Sequence, residues 1–181
     1  MLKALKIFLS ELTGETVHIS EFSNGRLSTI HVEESSKAHR VFVNIGTILP
    51  YHATASGLAY LAACPAEMIE AALKVPLDGF TEFTITDPAE LRRRVAETQA
   101  QGFSVNRQGM EAGVISASAA IAAPGGRPVG CITVAAPFVR TGDDRILQHG
   151  AAVRAAAENI FEAFFGTDRE VRPPLQSRRN G

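Results

Sequence analysis

The 181-residue chain has little cysteine, little net charge and no long apolar run, and each shortage removes a class of protein. Two cysteines, Cys64 and Cys131, are too few for a disulfide framework or a metal finger, so a reducing cytoplasm is the expected setting. Eighteen basic against nineteen acidic residues give a net charge of −1, which is no electrostatic footprint for nucleic acid. The longest apolar stretches, at 114–123 and 151–157, are alanine-rich and fall well short of the ~20 residues that cross a bilayer, so no membrane partner is expected.

Catalytic signatures are missing too. The chain contains neither a G-x-S-x-G elbow nor a G-x-x-x-x-G-K-[ST] loop. His18, His31, His39, His52 and His149 are scattered over different predicted elements, and none forms an H-x-x-x-H pair with a carboxylate on one helix face. His18 and His31 read as strand-surface residues, and His52 as packing at a helix start. Arg92, Arg93 and Arg94 lie on a helix whose Leu91 and Val95 face inward, so they read as a solvated face. No metal, no cofactor and no enzyme activity are expected.

What is present is one domain's worth of core, 45% hydrophobic and 20% charged, with clear local signals. "LKALKIFLSEL" spaces Leu2, Leu5, Leu9 and Leu12 as a short leading helix. "TVHISEFS" and "RLSTIHVE" alternate around "SNGR", where Asn24 and Gly25 suit a tight hairpin turn. "RVFVNI" places Val41, Val43 and Ile45 on one face and predicts a third strand.

A helix is expected from Tyr51 to Cys64 and a second from Pro65, followed by an extended link over "FTEFTIT". Asp87 as N-cap, Pro88 at the first position and Gly102 as stop frame the next helix. "FSVN", "VISASAAIAA" and "RPVGCITVAA" read as strands, the last two joined through "PGG". A closing helix from about Asp143 carries Ile146, Val153, Ala157, Ile160, Phe161 and Phe164 on one side and stops at Gly166. Strands, a block of helices, more strands and a last helix make an α+β fold with a mostly antiparallel sheet.

One stretch breaks the rules of helix filling. "PYHATASGLAYLA" puts Ala53, Ala55, Ser56 and Gly57 where large core residues belong, although glycine inside a helix costs ~1 kcal/mol relative to alanine. On the strands, Val114, Ser116 and Ser118 point one way, as do Cys131, Thr133 and Ala135. Either these small residues let helix and sheet approach closely, or they line a cup whose hydroxyls and free helix N–H groups suit a carboxylate. Spacing alone leaves both open. Tyr60 and Leu61 read as ordinary core.

In order and spacing, "TGETVHIS", "GTILPYHATASGLAYLA", "TITDPAELRRRVAETQAQGFSVN" and "MEAGVISASAAIAAPGGRPVGCITVAAPFVR", with the closing helix ending in "FFG", resemble the effector-binding domain of IclR-type bacterial transcription regulators over about residues 5–166. That resemblance implies a GAF-like curved, mostly antiparallel sheet flanked by helices, with a small organic acid held in a cup against the sheet. Carried over by position, the cup implicates Ala55, Ser56, Asn106, Val114, Ser116, Thr133 and Ala135. Two positions depart from the family's pattern: Asn106 stands in place of an aspartate, which removes a charge that would repel a carboxylate, and Ser116 in place of a cysteine, which adds a stronger donor.

The family's regulators carry a winged helix-turn-helix domain before this region, whereas only about a dozen residues precede "TGET" here. The expectation is a sensor whose DNA contact rests on an absent N-terminal domain, with residues 1–13 ending a linker helix, 14–166 forming the effector domain and 167–181 a disordered tail. The resemblance further implies a homodimer or homotetramer, for which the Leu2, Leu5, Leu9, Leu12 stripe offers an apolar face. Two other readings are a GAF-like enzyme using Cys64 or Cys131 as a reactive thiol, and a pure oligomerisation module with a filled core.

Overall fold

A computed structural model describes residues 9–165. The part of the leading helix that holds Leu2 and Leu5, the stop at Gly166 and the tail at 167–181 lie outside the described residues. Within them, helix α1 covers 9–13, and the hairpin follows: strands β1 (Thr16–Ser23) and β2 (Arg26–Glu33) turn through Asn24 and Gly25, both at positive φ (51° and 75°), as a primed two-residue turn requires. Strands β3 (Ser104–Arg107), β4 (Val114–Ala122) and β5 (Pro128–Pro137) complete one sheet in the order β2-β1-β5-β4-β3, antiparallel at every pairing.

Register decides which residues become neighbours. Thr16 pairs with Ala135, Ala135 with Ser116 and Ser116 with Asn106, forming one row across four strands. His18, Thr133, Ser118 and Ser104 form the next row on the same face, one pleat away. The residues between them in sequence, Val17, Ile19, Ile115, Ala117, Ile132 and Val134, point to the opposite face. There they bury against Ile146, Val153, Ala157 and Ile160 of the closing helix α5 (Asp143–Phe165). The apolar stripe read along that helix is buried at these four positions, whereas Phe164 is exposed.

The small-residue face carries helix α2 (Ala55–Ala62), with α3 (Ala66–Ala72) and α4 (Pro88–Gln101) packed beyond it through Leu58, Leu61, Ile69, Leu91 and Val95. The α4 boundaries follow the sequence closely: the Asp87 carboxylate accepts from the Ala89 N–H and Gly102 ends the helix at φ 79°. Helix α2 starts later than its pattern suggested, at Ala55, because the Thr54 hydroxyl accepts from the Gly57 N–H and caps it there. Gly57 is explained by contact: a Cβ at that position would lie 2.2 Å from the Pro50 carbonyl oxygen.

Three expectations are corrected. Residues 40–45 form no strand, because the outer edge of β2 pairs instead with the segment after the Gly46 turn, through Thr29 N–H to Thr47 O and Leu49 N–H to Leu27 O. With the β2 edge taken, the alternation of Val41, Val43 and Ile45 has no ladder there to sit in, and Ile45 is left 68% exposed. The 80–86 link is a compact turn, not an extended one, with the Phe80 and Thr81 N–H groups donating to the Thr84 hydroxyl. Leu9 faces the core while Leu12 faces outward, so these two do not form a common outward stripe.

A buried ionic cluster closes the junction between α1 and the sheet. The Glu15 carboxylate, fully buried, accepts from Arg140 (2.6 Å) and Lys37 (2.9 Å), and Arg140 also donates to the His39 carbonyl. Burial alone would raise the Glu15 pKa, but these donors hold it below the ordinary value.

Gly57→Ala should lower stability by about 1–3 kcal/mol in chemical denaturation, the usual range for forcing an atom into a filled site. Because the folded-state pKa of Glu15 is depressed, its contribution should be complete above the unfolded-state value of about 4.3 and fade as pH falls through the folded one. Glu15→Gln should therefore lower stability by about 2 kcal/mol at pH 7, and the gap to the parent should shrink in melts run at progressively lower pH.

Candidate functional site

The two polar rows meet the start of α2 in different ways. The second row pins the helix: the Ser56 hydroxyl lies 2.8 Å from that of Thr133, which lies 2.7 Å from that of Ser118, and Ser118 Oγ donates to the Ile132 carbonyl at 3.2 Å. Ser104 Oγ donates to the Ala55 carbonyl (2.7 Å), and the Cys131 thiol donates to that of Ser56 (3.2 Å). His18 Nε2 stands 3.3 Å from Ser56 Oγ and joins the same chain.

Where this pinning stops, a cavity of about 310 Å³ opens. Its walls include all seven residues singled out from the sequence: Ala55 and Ser56 from α2, Asn106 from the end of β3, Val114 and Ser116 from β4, and Thr133 and Ala135 from β5. Asn106 also shapes the loop behind it, its Oδ1 accepting from the Gly109 N–H at 2.9 Å. Ser116 lies half-buried, with its hydroxyl unpartnered among the described residues. The N–H groups of Ala55 and Ser56 open helix α2 and so have no acceptor within it.

Sequence reasoning missed part of the wall. His18 is not on an open strand surface; it is 5% exposed and lines the cavity. Val41 and Phe42, from the segment read as a strand, and Leu49 beyond it supply apolar lining. Met110 and Glu111 add to the rim. The signal for His18 was available in its alternation with Thr16 and Ser20, but its neighbour Thr133 is reached only through a long-range pairing.

Charge is nearly absent from this site. None of the lining residues is lysine or arginine, and Glu111 is the one carboxylate. Burial alone pushes the His18 imidazole down to about 4. Elsewhere, the arginines at 92–94 are engaged, Arg92 with Glu70, Arg93 with Glu90 and Glu97, and Arg94 with Glu97 and the Val105 carbonyl. No cluster of three or more potential metal ligands occurs among the described residues, and no described helix is long and apolar enough to cross a membrane. Both cysteines are buried; burial raises the Cys64 thiol and pushes that of Cys131 up to about 12, the opposite of what a thiol nucleophile requires.

Residues 3–162 match the sequence profile described as bacterial transcriptional regulator IclR, C-terminal. The chain is 31% identical over 153 residues to the HTH-type transcriptional repressor AllR of Klebsiella pneumoniae, covering 84% of this chain and 56% of that protein. It is 29% identical over 161 residues to the transcriptional repressor IclR of Escherichia coli K12, covering 87% and 59% respectively. The chain thus spans a little over half the length of these relatives.

Among solved structures, a Silicibacter sp. TM1040 protein assigned as an IclR transcriptional regulator superposes with a TM-score of 0.85 at 35% identity, covering 89% of this chain and 64% of that one. An IclR homologue from Microbacterium hydrocarbonoxydans, complexed with 4-hydroxybenzoate, shares the fold with a TM-score of 0.77 at 21% identity, covering 88% and 64%.

The thiol environments give a direct expectation. With an aromatic disulfide reagent at pH 8, neither cysteine should react at the rate of a free exposed thiol while the protein is folded, and both should react once denaturant unfolds it. Rapid labelling of Cys64 or Cys131 in the native protein would restore the thiol-enzyme reading.

Proposed function

Because the chain belongs to the IclR family of bacterial transcriptional regulators, matching their C-terminal domain, we propose that it is a non-catalytic sensor whose cavity binds a small organic acid. The observation that carries this is the convergence of Ala55, Ser56, Asn106, Val114, Ser116, Thr133 and Ala135, from separate elements, on one cavity. At about 310 Å³ the space lies at the small end of ligand pockets, which run from ~300 to ~1,000 Å³, so the ligand is small. Val41, Phe42, Leu49 and Val114 favour an apolar body, and the donors of Ala55, Ser56 and Ser116 favour a carboxylate at its end. The 4-hydroxybenzoate bound by the Microbacterium homologue is such a molecule.

In this reading residues 14–166 are the effector-binding domain of a cytoplasmic regulator, and a winged helix-turn-helix domain outside this chain contacts DNA. An acid that binds two subunit arrangements unequally shifts the balance between them and with it DNA binding. The assembly is a homodimer or homotetramer, and exposed apolar side chains such as Leu12, Phe42, Ile45 and Ile48 supply surface for it. The open cavity weighs against a pure oligomerisation module with a filled core, and the inert thiols weigh against an enzyme.

Calorimetry and thermal melts with 4-hydroxybenzoate, benzoate, butanoate and succinate test this, with methyl 4-hydroxybenzoate as the uncharged control. At least one acid should raise the melting temperature by roughly 5–10 °C at a hundredfold excess over its dissociation constant. Ser116→Phe, which fills the cavity from β4, should melt like the parent and weaken that acid more than tenfold. If no acid in the panel stabilises the protein, the sensor reading fails.

A further inference from the structure

An acid in this cavity meets no lysine or arginine, and the nearest fixed charge on its wall, Glu111, has the wrong sign. One lining side chain can become a cation, and proton accounting around it shows how. The chain His18–Ser56–Thr133–Ser118–Ile132 carbonyl contains four hydrogen-bond contacts but only three hydroxyl protons. If Ser118 donates to the Ile132 carbonyl, Thr133 donates to Ser118 and Ser56 to Thr133, so the fourth proton, on the Ser56–His18 contact, has to come from the imidazole. That places the neutral ring's proton on Nε2. Nδ1 is then a bare lone pair, and it is buried without a hydrogen-bond partner.

A bare lone pair repels a carboxylate oxygen, whereas a protonated one binds it as a charge-assisted donor. We infer, building on the sensor reading above, that His18 is the residue that confers acid selectivity, and that an acid anion enters the cavity together with one proton, which comes to lie between Nδ1 and the carboxylate. The proton is supplied by water or buffer; an N–H bond forms at Nδ1 and no protein bond breaks. Among the described residues, no other side chain lining the cavity can become a cation. Across the sheet His18 faces Thr133 on β5 and Val32 on β2, Ser56 of α2 lies against its ring, Glu111 stands on the cavity rim, and Arg40, stacked on the Phe42 ring, is paired with Glu34.

Since the free imidazole is neutral above about pH 4, binding should take up a proton from that pH up to the raised pKa of the complex. The test is calorimetry with 4-hydroxybenzoate, or with whichever acid of the panel above stabilises the protein most, in phosphate and in Tris, whose ionisation enthalpies differ. About one proton should be taken up per site at pH 6.5, and affinity should fall about tenfold per pH unit between pH 5.5 and 7. His18→Gln keeps an amide donor but cannot take a proton, so its affinity should be flat over that range.

In the parent protein, the nitrogen-15 signal of the His18 ring should report protonation of Nδ1 on saturation, and this readout stands even if the variant misfolds. Binding of an acid with no proton uptake, or a pH slope retained in His18→Gln, would overturn the inference and leave the sensor reading intact. Failure of every acid to bind removes that reading, and this inference with it.

Discussion

Helix α2 is seated on the sheet by one short chain of hydroxyls, Ser56 to Thr133 to Ser118, and the rest of the site depends on that seating. A hydroxyl pair at hydrogen-bond distance brings two backbones closer than a leucine between them would allow, which is why the neighbouring positions are alanine, serine and glycine. The tight fit at Gly57 against Pro50 is the same constraint seen from the other side of the helix. Each buried hydroxyl here has a partner, so the seating carries little desolvation penalty and holds the helix start in one place.

Close approach and open space therefore occur side by side, over adjacent rows of one sheet face. In the row of His18, Thr133, Ser118 and Ser104, small polar side chains let the helix dock. One pleat away, Ala135, Ser116 and Asn106 make no bond to the helix, and the cavity opens over them, bounded on its inner side by His18, Ser56 and Thr133. Sequence periodicity placed these residues on a common face; it could not say where along that face the helix would sit, because this depends on contacts between residues up to 77 positions apart.

Local signals were legible where the physics is local. The Asn24-Gly25 turn, the Asp87 cap and the Gly102 stop each depend on a few neighbouring residues, and each stands where the sequence put it. The seven cavity residues came through a family resemblance added to strand alternation, and they converge. Residues 40–45 show the limit of alternation, which describes how side chains would divide between two faces but not whether a neighbouring strand is free to pair. His18 shows the same limit in register: its environment is set by Thr133 of β5, which the hairpin pattern around it does not encode. Even the side of α1 that turns inward is a tertiary matter, since Leu9 and Leu12 are equally apolar and only one is buried.

The failed strand has a consequence of its own. The cavity has one wall made of laddered strands and another made of residues 41–49, which Thr16 holds at the Val41 carbonyl and the β2 edge holds over 46–49 through Thr29 and Leu27, leaving 42–45 without a hydrogen bond to the sheet. Ligands of different girth cannot be accommodated by moving the first wall without breaking the sheet. On the sensor reading proposed above, tolerance for size would rest with 42–45 and selection by charge with His18 on β1, separate parts of the chain that can change independently in evolution or in design.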